Sequence, residues 1–344
     1  MNSNSKHALH QKSQKSEKPQ NSQGSESSQK IIWAIDPFED TLKSRPQLLT
    51  VLEQIANRQK GAVEPVHVLN FSPEADGEFL IAQPVFGQYP DFSHYRDAAE
   101  KTIHSLVKEV PGIEFLPARI LMSEKSALVE LVQTLIDYAV KTHAVQIVVG
   151  THARKGISRV FMGSFAETLL LHSPLPVITI GPECLDHLQR GQILFATDFG
   201  DGSADAFRSL IRFAKDRGLG VTLFHVIPQR IEPLFEAGSY ILSGTSISMP
   251  NYLSEEESQR RKLAEQWVVE AQQAGVEVQV HFEFGKGNIV DLILKQSKRG
   301  NSAWIAMAAE SGALKSAVIG SMVREVVRQA TCPVWVLRLT KGQP

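Results

Sequence analysis

Cysteine is almost missing from this chain: Cys184 and Cys332 are the only two among 344 residues. Two cysteines so far apart build neither a disulfide framework nor a CxxC metal site, which suits a reducing compartment. Cys332, at the start of the apolar stretch Thr331-Cys332-Pro333-Val334, is expected to be a buried small hydrophobe rather than a reactive thiol. Long apolar runs are missing too, none approaching the ~18 residues of a membrane span. Net charge is only -1, so any attraction to an anion must be local, and neither nucleic acid nor a membrane is an expected partner. Residues 1–29 have almost nothing apolar, being rich in Ser, Gln, Asn and Lys, and are expected to form a disordered tail. That tail lacks the apolar stretch of roughly 7–15 residues in a secretory signal, and the expected location is the cytoplasm.

Enzyme signatures are equally scarce. The chain has no GxxxxGKS/T, HExxH or GxSxG motif, and Gly285-Lys286-Gly287 does not complete GxGxxG. Asp198-Phe199-Gly200-Asp201-Gly202-Ser203 resembles the start of a calcium loop, but Ser209 stands where the bidentate Glu is required. It reads instead as a strand-to-helix turn with Ser203 as cap. No nucleophile, base and oxyanion donors assemble from the spacing, so dedicated catalysis is not expected and no metal site is assigned.

What is present is a repeat. Hydrophobic content of 42% and charged content of 21% describe a globular protein, and the length suits two cores of about 150 residues. Ile31-Ile32-Trp33-Ala34-Ile35-Asp36 recurs as Gln192-Ile193-Leu194-Phe195-Ala196-Thr197-Asp198, and Val66-His67-Val68 recurs as Phe224-His225-Val226. In the second half Val221 to Ile227, Val276 to Phe284, Ala303 to Ala308 and Val334 to Leu339 read as strands. Helical patterns at Ala204 to Arg217, Glu255 to Ala274, Ile289 to Lys298 and Ser321 to Gln329 separate them. The first half repeats the plan. The fold class is therefore α/β: two tandem doubly wound domains, residues 30–182 and 192–340, each a five-stranded parallel sheet with helices on both faces, Rossmann-like. Ser72 to His94 and Pro228 to Leu253 read as long irregular connections.

The candidate site lies in Val148-Val149-Gly150-Thr151-His152-Ala153-Arg154-Lys155-Gly156 and its continuation to Gly163-Ser164. An apolar strand runs there through a basic, glycine-punctuated loop into a helix start, where unpaired N–H groups and the macrodipole favour an anion. Arg154, Lys155 and Arg159 add three cations. Asp36, at a strand end, can accept hydrogen bonds from ribose hydroxyls or a base edge, or cap a turn before Pro37. Ser164 can cap the helix or bind a phosphate. His67 and His225 read as satisfied strand-end groups. Aligning Gly320-Ser321 with Gly163-Ser164 puts Met307 opposite Gly150 and Glu310 opposite Ala153, and leaves Lys315 as the second loop's cation. That copy keeps the frame and is expected to bind no phosphate.

With these motifs the chain resembles the universal stress protein family over about residues 31 to 340. The family pattern of Gly, two residues, Gly, nine residues, Gly-Ser reads here as Gly150, Ala153, Gly163 and Ser164, with alanine in place of one glycine. The resemblance implies an adenine-nucleotide site, ATP foremost, with a divalent metal such as Mg arriving through the ATP. By position it implies Asp36, Val68, Val149, Gly150, Ala153, Arg154, Gly163 and Ser164, and in the second domain a reduced set, Asp198, Val226, Gly320 and Ser321. It further implies a regulator of stress response without dedicated catalysis, whose two domains pair through Leu175 to Ile180 and Val334 to Leu339 as a pseudo-dimer. Homodimerisation is left open. Two other readings stand beside it: an interaction scaffold with decayed sites, and a slow ATPase.

Overall fold

Alternating apolar runs and amphipathic segments fold as alternating strands and helices. A computed structural model describes residues 29–38, 45–59, 61–70, 92–108, 110, 112–151, 164–181, 184, 191–228, 249–285, 287–310 and 316–339. The first half contains β1 (Lys30–Ala34), α1 (Arg45–Gln59), β2 (Ala62–Asn70), α2 (Phe92–Lys108), β3 (Arg119–Ser123), α3 (Leu128–Lys141), β4 (Gln146–Gly150), α4 (Ser164–His172) and β5 (Val177–Ile180). The second contains β6 (Ile193–Ala196), α5 (Asp201–Arg217), β7 (Val221–Pro228), α6 (Met249–Gln273), β8 (Val278–Gly285), α7 (Ile289–Arg299), β9 (Trp304–Glu310), α8 (Ser316–Gln329) and β10 (Val334–Leu339). The tail 1–28, the loop 152–163, most of both long connections and most of the boundary at 182–191 lie outside the described residues.

The strands form one ten-stranded sheet in the order β3-β2-β1-β4-β5-β10-β9-β6-β7-β8. Pairing is parallel within each half, as in α/β folds wound by crossover helices. The halves meet where β5 and β10 pair antiparallel, with Ile178 opposite Trp335. Val177 to Ile180 are all buried, and a strand buried on both faces cannot stand at an open sheet edge. Pairing the two apolar edges removes both.

Side chains alternate across this sheet into two core layers. Ile31, Trp33, Phe195 and Trp304 face one side, with Leu52 and Ile55 of α1, Phe207 and Leu210 of α5 and Trp267 of α6. Ile32, Ile147, Leu194 and Ile305 face the other, with Leu135 of α3, Leu169 of α4, Ile293 of α7 and Val326 of α8. Each layer draws on both halves, so the apolar burial that stabilises one half continues into its neighbour.

The register fixes which residues of the two halves correspond. Ala34 pairs with Val66 and Val149, whereas Ala196 pairs with Phe224 and Met307. Met307 therefore corresponds to Val149, and Ala308 to Gly150. The helices that follow match in another frame, since Ser173 N–H donates to the Leu169 carbonyl as Ala330 N–H does to that of Val326. The connection after β9 is thus one residue shorter than the one after β4. This corrects the pairing of Met307 with Gly150: Met307 is buried in a core layer beside its strand neighbours. Glu310, expected in a loop opposite Ala153, is the last residue of β9.

Candidate functional site

Strand order reverses between β1 and β4, and again between β6 and β9; at such points the carboxyl ends of the strands open a crevice. The first crevice gathers Asp36 just beyond β1, Val68 in the last part of β2 and Val149-Gly150 at the end of β4. Asp36 is exposed, and its Oδ1 accepts the Phe38 N–H at 3.0 Å, a turn closed by the carboxylate itself. Pro37 is buried beneath it, while the Phe38 ring is 51% exposed and meets His67 edge-on at 5.8 Å between centroids.

His67 is the satisfied strand-end group its position suggested. Its Nδ1 lies 2.9 Å from the Ile35 carbonyl, and a carbonyl only accepts, so that nitrogen carries the proton. Burial lowers the pKa, opposed by the Ile35 hydrogen bond and the Asp36 charge, and the ring is neutral near pH 7. Val68 is half-buried, Val149 is buried, and Thr151 closes the strand end by donating its N–H to the Ile180 carbonyl at 2.8 Å. A Cβ built at Gly150 would come within 3.2 Å of Leu48 Cδ1 on α1. Ser164 is the first residue of α4 and is exposed, and its carbonyl accepts from Thr168 Oγ1 at 2.8 Å. Ala153, Arg154 and Gly163, with Lys155, Gly156 and Arg159, lie outside the described residues.

The second crevice uses the same frame with other contents. His225 Nδ1 donates to the Thr197 carbonyl at 2.8 Å, as His67 does to Ile35, and Val226 follows it, buried. Asp198 Oδ1 accepts both the Gly200 N–H at 2.9 Å and the Ser203 hydroxyl at 2.8 Å. Burial pushes the Asp198 carboxyl up, yet these hydrogen bonds and the nearby Arg260 guanidinium hold it below its ordinary value. Ser203 is not the cap expected from sequence: α5 starts at Asp201 with Gly200 as N-cap, and Ser203 lies in the first turn. Phe199 takes φ 56°, unusual for a bulky residue, and is 4% exposed among His225, Trp267 and Phe282. Pro37 fills that place in the first half, and proline cannot adopt this turn.

Gly320 and Ser321 are also moved by the structure. They lie inside α8, which begins at Ser316, so neither stands at a helix start. The sequence reading missed Phe38, Leu48 behind Gly150, and Arg260, whose guanidinium donates to the Asp198 carbonyl from α6. Setting Pro37-Phe38 beside Phe199-Gly200 would have flagged the first; nothing local announces the other two. Cys332 is half-buried rather than fully buried, and desolvation pushes its thiol up to about 11, with Ser297 Oγ 3.6 Å away. Among the described residues no group of His, Cys, Asp and Glu could hold a metal ion, and no helix is long and apolar enough to cross a membrane.

Fold and crevices together define a doubly wound α/β protein with two ligand-type switch points on one sheet. The universal stress protein family model matches residues 123–181 and 190–338, more than half of the chain, and the chain belongs to that family. The first match starts after β2, so Asp36 and Val68 fall outside it. A universal stress protein of Mycolicibacterium smegmatis is 26% identical over 207 residues, a match spanning 60% of this chain and 65% of that relative's length. A universal stress protein from Archaeoglobus fulgidus aligns over 91% of this chain and all of its own, with a TM-score of 0.61 at 19% identity. A functionally unknown protein from Pseudomonas aeruginosa PAO1 aligns over 91% of this chain and 93% of its own, with a TM-score of 0.59 at 15% identity. At these identities the solved structures speak to the fold alone.

Proposed function

We propose that the protein is a cytoplasmic stress-response regulator that binds ATP, or another adenine nucleotide, in the crevice of its first half. The two halves, residues 30–182 and 192–340, act as paired domains of which only the first is a nucleotide domain. The observation that carries this reading is the difference between the crevices. The first offers an exposed carboxylate, an exposed aromatic face at Phe38, and Gly150 with no Cβ at the strand end. The second has Asp198, exposed as well but accepting from both Gly200 and Ser203, an inward Phe199, and Ala308 in place of Gly150.

In this reading Asp36 accepts from ribose hydroxyls, the Val68 and Val149 strand ends flank the base, and Gly150 lets the ligand approach the backbone. Ala153, Arg154, Gly163 and Ser164 hold the phosphates at the start of α4, with Mg arriving on the nucleotide. The role assigned is binding rather than turnover. Thermal unfolding with millimolar ATP tests it: a micromolar site should add about 4 kcal/mol at a thousandfold ligand excess. No shift in the wild-type protein overturns the proposal. The competing scaffold reading draws on Leu48, since a glycine at position 150 that packs against α1 needs no ligand; no ATP binding by the wild-type protein, with Gly150→Ala changing stability alone, would favour it.

A further inference from the structure

The two halves correspond element by element, so the seam between them is a pairing of equivalent surfaces. β5 and β10 cross antiparallel about Ile178 and Trp335, so Val177 corresponds to Val334 and Gly181 to Arg338. The Ser173 and Ala330 hydrogen bonds put α4 and α8 in the same frame, which makes Glu167 the counterpart of Arg324 and Leu171 that of Arg328. In α1 and α5, Gly61 N–H donates to the Ala56 carbonyl as Leu219 N–H does to that of Ala214, so Gln59 corresponds to Arg217.

Each of these four arginines reaches across the seam. Arg324 Nη1 lies 2.7 Å from Glu167 Oε1, and Arg328 Nη2 lies 3.4 Å from Glu167 Oε2. Arg217 Nη2 donates to the Ile55 carbonyl at 3.3 Å, and Arg338 donates to the Leu170 carbonyl. All four guanidiniums belong to the second half, and each finds an acceptor on the first, beside the contacts that Arg217 makes with the Phe213 carbonyl and Arg328 with Glu325 in their own half. Their counterparts, Gln59, Glu167, Leu171 and Gly181, carry no cation. Glu167 and Arg324 go further, for they are the same position in the two halves and they meet each other.

We infer that the seam is a directional pairing surface: the second half is built to dock only on a first half, and each half rejects a copy of itself. Two second halves brought together in this geometry would set their arginines against one another, Arg324 facing Arg324, with no Glu167 between them. Two first halves would place Glu167 against Glu167 and lose every guanidinium contact. Like charges at close quarters disfavour the wrong partner, and complementary ones select the right one. The partner this surface fits is therefore the unlike half, here supplied by the same chain.

The test is a charge-reversal cycle in the full chain: Glu167→Arg, Arg324→Glu and both together, read by thermal unfolding at low and high salt and by light scattering. Each single reversal should lower the midpoint by about 2–4 °C, by less at high salt, and the double should regain more than half of the summed loss. The double should also keep the wild-type mass. A double that loses the full sum of the two singles, singles without effect, or a changed mass in the double overturns the inference. If a single variant fails to fold, recovery of folding in the double still decides for it, and failure of the double decides against.

Discussion

At the scale of single residues, burial and hydrogen bonding rather than residue type separate the two crevices. His67 has its pKa lowered by burial, so between its folded value and ~6.5 the unfolded chain binds more protons. Its contribution to stability therefore falls as pH drops below ~6.5 and levels off below the folded value. His67→Asn should flatten that part of the pH dependence, measurable by urea unfolding at pH 7.5 and 5.5. Asp198 has the same sign in a more acidic window: its lowered pKa stabilises the fold above its unfolded value, and that contribution is lost as pH falls through the folded one. Asp198→Asn should cost about 0.5–1 kcal/mol at pH 7, the figure being kept low because the carboxylate is exposed. At Gly150 the close Leu48 methyl sits at the end of a flexible side chain, and Ala308 already occupies the matching place in the second half. Gly150→Ala should accordingly fold, with a loss under ~1 kcal/mol, whereas Gly150→Val should lose ~1–3 kcal/mol by overpacking.

At the scale of elements, most strands and helices were legible because both of their faces, or one clear stripe, must be buried. The apolar runs at Val221 to Ile227 and Val334 to Leu339 became β7 and β10 to within a residue. What was not legible was phase. The Gly-Ser pair at 320–321 suggests the start of α8, but Ser316 to Ile319 are compatible with helix and join it. α6 likewise starts at Met249, inside a stretch read as irregular. The one-residue difference after β9 was invisible because its signal is hydrogen-bond register across the sheet, not spacing along the chain. Gly320 then sits in a helix interior, where glycine costs roughly 0.5–1 kcal/mol relative to alanine. Gly320→Ala should raise thermal stability by about that amount; a loss of stability would mean the helix starts where the sequence pattern had put it.

At the scale of the whole molecule, repetition explains the architecture, and departures from repetition explain the proposed function. Pairing β5 with β10 turns two five-stranded sheets into one, and the shared core layers make the halves neighbours in a single structure. Once joined, the two crevices need not do the same work. Both carboxylates are exposed and close a turn, Asp36 on Phe38 and Asp198 on Gly200 and Ser203, but Phe199 packs inward whereas the Phe38 ring stays open to solvent. The sequence carried that asymmetry in its basic loop; the register then moved the second-half change from Met307 to Ala308. Isothermal titration of nucleotide-free protein with ATP resolves the matter. One site per chain is expected, weakened at least tenfold by Asp36→Ala or Arg154→Ala and unchanged by Asp198→Ala. Two equal sites, a single site lost with Asp198→Ala, or no heat at millimolar ATP would contradict a nucleotide domain in the first half alone.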